Sequence, residues 1–258
     1  MRALVTGAGK RLGRAMALEL ARRGYDVAVH YASSQEAAEQ TAADVRDLGC
    51  NAQTLRADLL KEADTETLLP AAAEALGGPI TCLINNASIF EFDDIQTASR
   101  DSWDRHMESN LRAPFILTQQ LAAQDLPLQY SADGRPLASA LVVNMIDQRV
   151  RKLTPEFMTY TLAKSALWTL TQTSAQALAP RIRVNAIGPG PTLRGPRQSE
   201  EQFAKQCAST LLQRGADPDE ITTALAYLLD AKAVTGQMIC VDSGQHLSWQ
   251  TPDVVGLE

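Results

Sequence analysis

The chain has 258 residues, 45 % of them hydrophobic and 21 % charged, with a formal net charge of −6. That balance suits a soluble globular chain, and the absence of any Lys/Arg block speaks against the basic face that nucleic-acid binding needs. No apolar run reaches the roughly 18 residues of a membrane span.

At this length roughly 75 % of the unfolded surface can be buried without staples. Met1 leads at once into the strand-like ALVTG, which leaves no room for a signal peptide. Cys50, Cys82, Cys207 and Cys240 are scattered without a CxxC pair, and His30, His106 and His246 lack metal-ligand spacing. Reduced thiols in a cytoplasmic protein without a metal are expected.

The first strand candidate, ALVTG (3–7), runs into VTGAGKRLGRAMALEL and a helix near 11–23. Gly7, Gly9 and Gly13 make a glycine-rich turn at that helix start, where backbone N–H groups and the positive helix end can hold a pyrophosphate. The second strand, DVAVHY (26–31), precedes a helix near 34–48, and no Asp or Glu occurs between Val27 and Gln35. An acid there would accept from a ribose 2′-hydroxyl and repel a 2′-phosphate. His30, Ser33 and Ser34, with Arg11, are donors for such a phosphate, so NADPH is the expected cofactor. AQTLRA (52–57) and a helix near 62–76 follow, then TCLINN (81–86) and a long helix over 100–125. DLPLQYSADGRPLAS (125–139) reads as a turn-rich loop before ALVVNM (140–145) and a helix over 157–179. RIRVNAI (181–187) gives way to the irregular GPGPTLRGPRQ (188–198), placed to form a lid; a helix near 218–230 and QMICVD (237–242) close the pattern. Runs such as LVV and VAV are apolar at consecutive positions, as in strands covered on both faces. Strand and helix alternate along the whole chain, which predicts one α/β domain over 1–258 with a doubly wound parallel sheet.

Tyr160 and Lys164 stand four apart on a predicted helix and therefore on one face. Asp147 lies thirteen positions before the tyrosine, at a strand end. A carboxylate there can relay protons or simply cap a turn.

VTGAGKRLG, NNAS (85–88), Tyr160-x-x-x-Lys164 and GPG (188–190) together resemble the short-chain dehydrogenase/reductase family, in order from about residue 2 to 244. The resemblance implies a Rossmann-like sheet of seven strands, a nicotinamide cofactor, and a homotetramer packed through long helices and the C-terminal strand. It also implies the residues that hold the cofactor. These are Gly7, Lys10, Arg11, Leu12 and Gly13 in the first turn; His30, Tyr31 and Ser33 after the second strand; Asp58 and Leu59 beside the adenine; Asn86, Ala87 and Ser88 along the ribose and nicotinamide; Met145, Tyr160 and Lys164; and Pro189, Gly190 and Thr192 near the carboxamide. Tyr160 is implied as the proton donor, its pKa brought down from about 10 by the ammonium and the oxidised cofactor. Lys164 is implied as the grip on the ribose, and Asn110 as support for a water relay.

Two positions depart from the usual family pattern. Arg11 replaces the middle glycine of TGxxxGxG, and Asp147 replaces a serine that orients a substrate carbonyl. Both replacements resemble pteridine reductases and dihydromonapterin reductases, as does Phe90 at a place where an aromatic ring stacks on a pterin. An ionised Asp147 would repel a simple carbonyl oxygen, whereas a nitrogen-rich ring offers it donors. Arg11, Ser88, Phe90, Asp147 and Tyr160 thus outline a slot for a dihydropterin such as dihydromonapterin or dihydrobiopterin, with dihydrofolate as a further candidate. A general carbonyl reductase acting on 3-oxoacyl thioesters or sugars explains Tyr160 and Lys164 but leaves Asp147 and Arg11 unused. A catalytically idle NADP(H)-binding sensor would have no need of either Tyr160 or Lys164. Enoyl reductases related to the family space the tyrosine and lysine more widely.

Overall fold

The computed structural model describes residues 1–195 and 197–251. One sheet holds seven strands: β1 (Arg2–Val5), β2 (Asp26–Tyr31), β3 (Ala52–Arg56), β4 (Cys82–Asn85), β5 (Ala140–Met145), β6 (Ile182–Pro189) and β7 (Met238–Val241). Their spatial order is β3-β2-β1-β4-β5-β6-β7, and every neighbouring pair is parallel. The helices are α1 (Arg11–Arg22), α2 (Gln35–Asp47), α3 (Glu62–Ala75), α4 (Arg100–Met107), α5 (Ala113–Ala123), α6 (Met158–Leu178), α7 (Glu200–Ala208) and α8 (Pro218–Asp230). This is the Rossmann-like doubly wound sheet that the alternating pattern predicts.

The two-residue period of a strand decides which helices meet which side chains. Leu4, Leu83, Val142 and Val184 point to one face, where Leu68 and Leu69 of α3 and Leu117 and Leu121 of α5 cover them. Their sequence neighbours Val5, Ile84, Leu141 and Val143 point to the other face, against Met16 and Leu20 of α1 and Ile221, Leu225 and Leu228 of α8. Each such buried side chain contributes about 1.5–3 kcal/mol. Because both faces are covered, the central strands are apolar throughout, and the LVV and VAV runs follow.

The chain runs outward from β1 to β3, then crosses to the opposite side of β1 to make β4. Ligands of open α/β sheets bind where the strand order reverses, outside the carboxyl ends of the strands. The segments following β1, β4, β5 and β6 converge at that edge.

Three stretches differ from expectation. The helix predicted over 100–125 is broken by a π-helical turn, Glu108–Arg112, before α5. Pro114 lacks the N–H that would meet the carbonyl of Asn110, so the regular ladder cannot continue through it. The loop at 125–139 contains a small antiparallel hairpin, Gln129–Tyr130 with Pro136–Leu137. Helix α7 was not anticipated, although Ser199 and Gln202 form a reciprocal cap that the sequence spells as S-x-x-Q. Residues 252 onward of the tail SWQTPDVVGLE lie outside the described residues.

Arg183 of β6 ties α8 to the sheet. Its Nη1 donates to the carbonyls of Leu228 at 2.8 Å, Ala231 at 3.1 Å and Val234 at 3.1 Å, at the negative end of the helix. Substituting Arg183→Leu leaves the buried Leu228 carbonyl without its donor and strips one from the Ala231 and Val234 carbonyls, so unfolding in urea should show a loss of about 3 kcal/mol. A midpoint unchanged from wild type would exclude this anchoring role.

Candidate active site

The turn after β1 is shaped by contacts that admit only glycine. Gly7 has φ +63°, and a Cβ on Gly13 would lie 2.2 Å from the Gly7 carbonyl oxygen and 2.6 Å from the Asn86 amide nitrogen. Helix α1 is therefore pressed directly onto the turn and the end of β4. Asn86 reinforces the junction by donating to the Thr6 carbonyl at 2.8 Å, while the Thr6 hydroxyl accepts from the N–H groups of Asn86 and Ala87 at 2.9 Å each. Thr6 was not among the anticipated site residues; its place one residue before Gly7 was the available signal. Beside this junction lies a cavity of about 380 Å³ lined by Gly7, Lys10, Arg11, Leu12, Gly13, Asn86, Ala87 and Ser88. Helix α1 opens onto it without a side-chain cap and without an acid in its first turn. Its unpaired N–H groups suit an anion there, so the cradle fits a dinucleotide pyrophosphate.

His30 does not sit where a 2′-phosphate would meet it, which corrects its expected role. Its ring is buried; Nδ1 accepts from the Gly7 N–H at 3.0 Å, and Nε2 faces the Ala57 carbonyl at 3.1 Å. An accepting Nδ1 places the proton on Nε2. Burial lowers the pKa to about 4 and keeps the ring neutral. Both nitrogens are spent on bracing the glycine turn against β3. Lys10, Ser33 and Ser34 instead border a separate open cavity with Gln35 and Glu36, at the uncapped start of α2. Tyr31 is half-buried against the core, its carbonyl accepting from Ala57. Asp58 turns back to accept from the Leu60 N–H at 3.2 Å, and Leu59 is buried.

At the end of β5, Asp147 opens a short 3-10 turn. One carboxylate oxygen accepts from the Arg149 N–H at 2.8 Å; the other accepts from the Tyr160 hydroxyl at 3.0 Å. The two readings of Asp147, turn cap and partner of the tyrosine, are both realised, one oxygen for each. Tyr160 and Lys164 occupy the same face of α6, both buried. The Lys164 ammonium donates to the Met145 carbonyl at 2.8 Å and lies 5.7 Å from the centre of the Tyr160 ring. Burial lowers its pKa to about 8.

The Tyr160 phenol is pushed well above 10, first by burial and then by the charge of Asp147, with Arg149 and then Ser88 acting in the other direction. The expected downward shift counted the oxidised cofactor beside the ammonium; in the protein alone burial leads, and the Asp147 carboxylate, which touches the phenol, adds to it. Asp147 is raised for the same leading reason, burial, opposed by the Arg149 N–H. Two anions 3.0 Å apart and buried are disfavoured, so the pair retains a proton.

The slot measures about 290 Å³ and is lined by Arg11, Leu12, Asn86, Ser88, Phe90, Met145, Asp147, Tyr160, Lys164, Pro189 and Gly190 among others. Phe90 meets Tyr160 edge-on at 4.7 Å and stacks on Phe157 at 4.3 Å. Phe157, which no motif singles out, takes up a left-handed backbone with φ 56° just before α6. Arg11 reaches across to the segment after β6, donating to the carbonyls of Leu193 and Arg194 at 2.9 Å each. Thr192 donates to the Gly190 carbonyl at 3.1 Å.

Asn110 lies in the π turn, fully buried. Its side chain accepts from the Ile89 N–H and donates to the Ile89 carbonyl, both at 2.9 Å. Both ends of the amide hold the loop that carries Ser88 and Phe90. A second clamp was not legible. The His106 ring accepts from the Glu91 N–H at 3.1 Å and meets the Thr159 hydroxyl at 2.7 Å, and Thr159 in turn bonds to Asp93. Among the described residues no helix is long and apolar enough to cross a membrane, and no group of three or more His, Cys, Asp or Glu is placed to hold a metal ion.

A family model described as enoyl-(acyl carrier protein) reductase matches residues 7–246. The chain is 28 % identical over 250 residues to the 3-oxoacyl-[acyl-carrier-protein] reductase FabG of Staphylococcus epidermidis, covering 95 % of this chain and 98 % of that protein. Among solved structures, FolM alternative dihydrofolate reductase 1 from Brucella suis in complex with NADP is 44 % identical, with a TM-score of 0.90 over 98 % of each chain. The angucycline C-6 ketoreductase LanV with bound NADP is 28 % identical, with a TM-score of 0.85 over 96 % of each.

Proposed function

The chain belongs to the short-chain dehydrogenase/reductase family and is an NADP-dependent reductase of that kind; from this we propose that it reduces a pterin-like heterocycle with NADPH. The observation that carries the reading is the Asp147 carboxylate, 3.0 Å from the Tyr160 hydroxyl where the family pattern implies serine. The aromatic face of Phe90 beside the pair and the likeness to FolM support it.

NADPH supplies the hydride. Gly7, Gly13 and the first turn of α1 would hold its pyrophosphate, Lys10, Ser33 and Ser34 its 2′-phosphate, and Lys164 its ribose hydroxyls. Tyr160 donates a proton from Oη to the substrate nitrogen as charge develops there. A phenolate beside an ionised Asp147 would be costly, so the raised carboxyl pKa matters: Asp147 can hand its own proton to Oη across the hydrogen bond. The charge then rests on Asp147, where the Arg149 N–H stabilises it.

Because kcat/KM reports groups in the free enzyme, the ammonium of Lys164 should be visible in its pH profile. Below a pKa of about 8 the side chain is charged and grips the cofactor; above it the charge is lost. A falling limb near that pH in kcat/KM for NADPH is expected. It should vanish in Lys164→Met, with kcat down by ~10²-fold at neutral pH.

The direct test is NADPH oxidation with a dihydropterin, set against an acetoacetyl thioester. Faster turnover of the thioester would favour the carbonyl-reductase reading, to which FabG and LanV lend weight. NADPH binding without turnover of any substrate would favour the sensor. NADH matching NADPH in kcat/KM would refute the cofactor preference. Trp103, Phe115 and Leu162 are exposed on α4, α5 and α6, in keeping with a homotetramer, which sedimentation would detect.

A further inference from the structure

Tyr160 lies in the first turn of α6, a helix with no side-chain cap of its own and no acid in that turn. Its first two N–H groups are met from outside, by Asp93 in the segment after β4. The Asp93 carbonyl accepts from the Met158 N–H at 3.3 Å, and one carboxylate oxygen accepts from the Thr159 N–H at 3.1 Å. Asp93 is buried, and an anion at the positive end of a helix is favourably placed. Burial alone would raise its pKa, but hydrogen bonds from Thr159 and Ser102 outweigh it and hold the carboxyl below its usual range.

The other carboxylate oxygen accepts from the Thr159 hydroxyl, which links Asp93 to His106 of α4. The His106 Nε2 accepts from the Glu91 N–H at 3.1 Å, so its proton sits on Nδ1, which donates to the Thr159 hydroxyl oxygen at 2.7 Å. One ordered run of hydrogen bonds thus leads from the Glu91 amide through imidazole and hydroxyl to the Asp93 carboxylate. Glu91 follows Phe90, and Thr159 precedes Tyr160. The imidazole therefore ties together the neighbours of two side chains that meet edge-on at 4.7 Å in the slot. Asn110, in the π turn after α4, holds Ile89 on the other side of Phe90. The Phe90 loop is gripped at both flanks, and the His106 branch extends to the tyrosine helix.

We propose that His106 is a positioning residue for proton delivery: neutral, it locks Tyr160 against Phe90 through Thr159, and a second proton on the ring opens the lock. The inference rests on Tyr160 as the proton donor of the proposed reaction, and it holds for a pterin and a ketone alike. A proton on Nε2 would face the Glu91 N–H, donor against donor, and release the loop at that point. Among the described residues, Glu91 and Asp93 from the loop, Arg105 from α4 and the Tyr160 ring from α6, 6.0 Å away, face the imidazole. Arg105 is paired with Glu91 at 2.8 Å, and Arg112 of the π turn is paired with Glu62. Burial holds the His106 pKa below its ordinary 6.5, against the pull of Asp93 and Glu91, so the lock is closed at neutral pH.

The test follows kcat against pH in wild type, Thr159→Val, Thr159→Ser and His106→Gln, per NADPH site counted by fluorescence titration. The substrate is dihydrobiopterin or an acetoacetyl thioester, whichever the wild type turns over faster. Valine keeps the shape of threonine and its N–H to Asp93 but interrupts the run of hydrogen bonds. Thr159→Val should lose ~10-fold in kcat with NADPH affinity within ~2-fold, because a misplaced proton donor costs rate and not cofactor binding. Thr159→Ser, which restores the hydroxyl, should recover to within ~3-fold of wild type. Wild-type kcat should fall as pH is lowered below 6.5. His106→Gln can accept from the Glu91 N–H but cannot gain a proton, so it should lack that acid limb whatever its rate at neutral pH. An acid limb retained in His106→Gln, or a Thr159→Val enzyme as fast as wild type, overturns the lock. Tyr160→Phe run alongside separates the two readings. If it is slow while Thr159→Val is unimpaired, the lock alone fails; if it is as fast as wild type, the proton-donor reading fails and the lock with it. Turnover of neither substrate by the wild type has that same second consequence.

Discussion

Replacing Tyr160 by phenylalanine should reduce kcat for pterin reduction by ~10³-fold while NADPH binding stays within ~3-fold of wild type. The substitution removes one oxygen and keeps the ring, so the edge-on contact with Phe90 at 4.7 Å and the packing of α6 persist. What disappears is, among the described residues, the only group that both touches Asp147 and faces the slot with a transferable proton. Asp147 retains the Arg149 N–H and so remains in place. If the carboxyl and the phenol pass a single proton along one route, their effects cannot multiply. Asp147→Asn alone should cost ~10²-fold, and the double variant should be no slower than Tyr160→Phe by more than ~3-fold. Losses that multiply across the two sites would show that the residues act independently and would remove the relay. Titrating NADPH by quenching of protein fluorescence separates lost chemistry from lost binding.

Most of the architecture is legible in the sequence, for a specific reason. In a sheet covered on both faces each strand is a compact apolar run, and each covering helix has an apolar stripe, so strands such as ALVVNM and helices such as that at 158–178 declare themselves. The meeting of Asp147, Tyr160 and Lys164 is legible too, because one pair is set by helical spacing and the third by the family pattern. The missed features depend on contacts between segments far apart in the chain. His30 is a polar residue near a strand end, and nothing local shows that its ring is trapped between Gly7 and Ala57. Asn110 is readable as a special position, but its engagement with Ile89, 21 residues earlier, belongs to the tertiary fold. The Tyr160 shift is set first by burial and then by Asp147, and sequence spacing does not say that Lys164 points to the Met145 carbonyl while Asp147 meets the phenol. Two signals were present and unused: Pro114, which forbids a regular helix through Asn110, and the Ser199–Gln202 cap of α7.

The substitution Asp147→Ser should separate substrate classes more sharply than any other single change. Turnover of a dihydropterin is expected to fall by ~10²–10³-fold, and reduction of a simple ketone to rise by ~10-fold or more. Serine offers a neutral hydroxyl donor, which suits a carbonyl oxygen; it can neither resupply the phenol with an acidic proton nor carry the charge that the transfer leaves behind. Its Oγ can still accept from the Arg149 N–H, so the turn survives and stability should change by only about 1 kcal/mol. The pH dependence of stability provides a second reading from the same protein. Burial raises the carboxyl pKa of Asp147 in the folded chain, so the fold binds more protons than the unfolded chain between the ordinary carboxylate range and the raised value. Wild-type stability must therefore fall as pH rises through that window. The serine variant lacks this titration, and its urea midpoint should follow pH with a flatter slope there. Near-normal pterin turnover in Asp147→Ser, or an unchanged slope, would mean that the carboxyl group neither relays a proton nor is buried in the way that makes the relay possible.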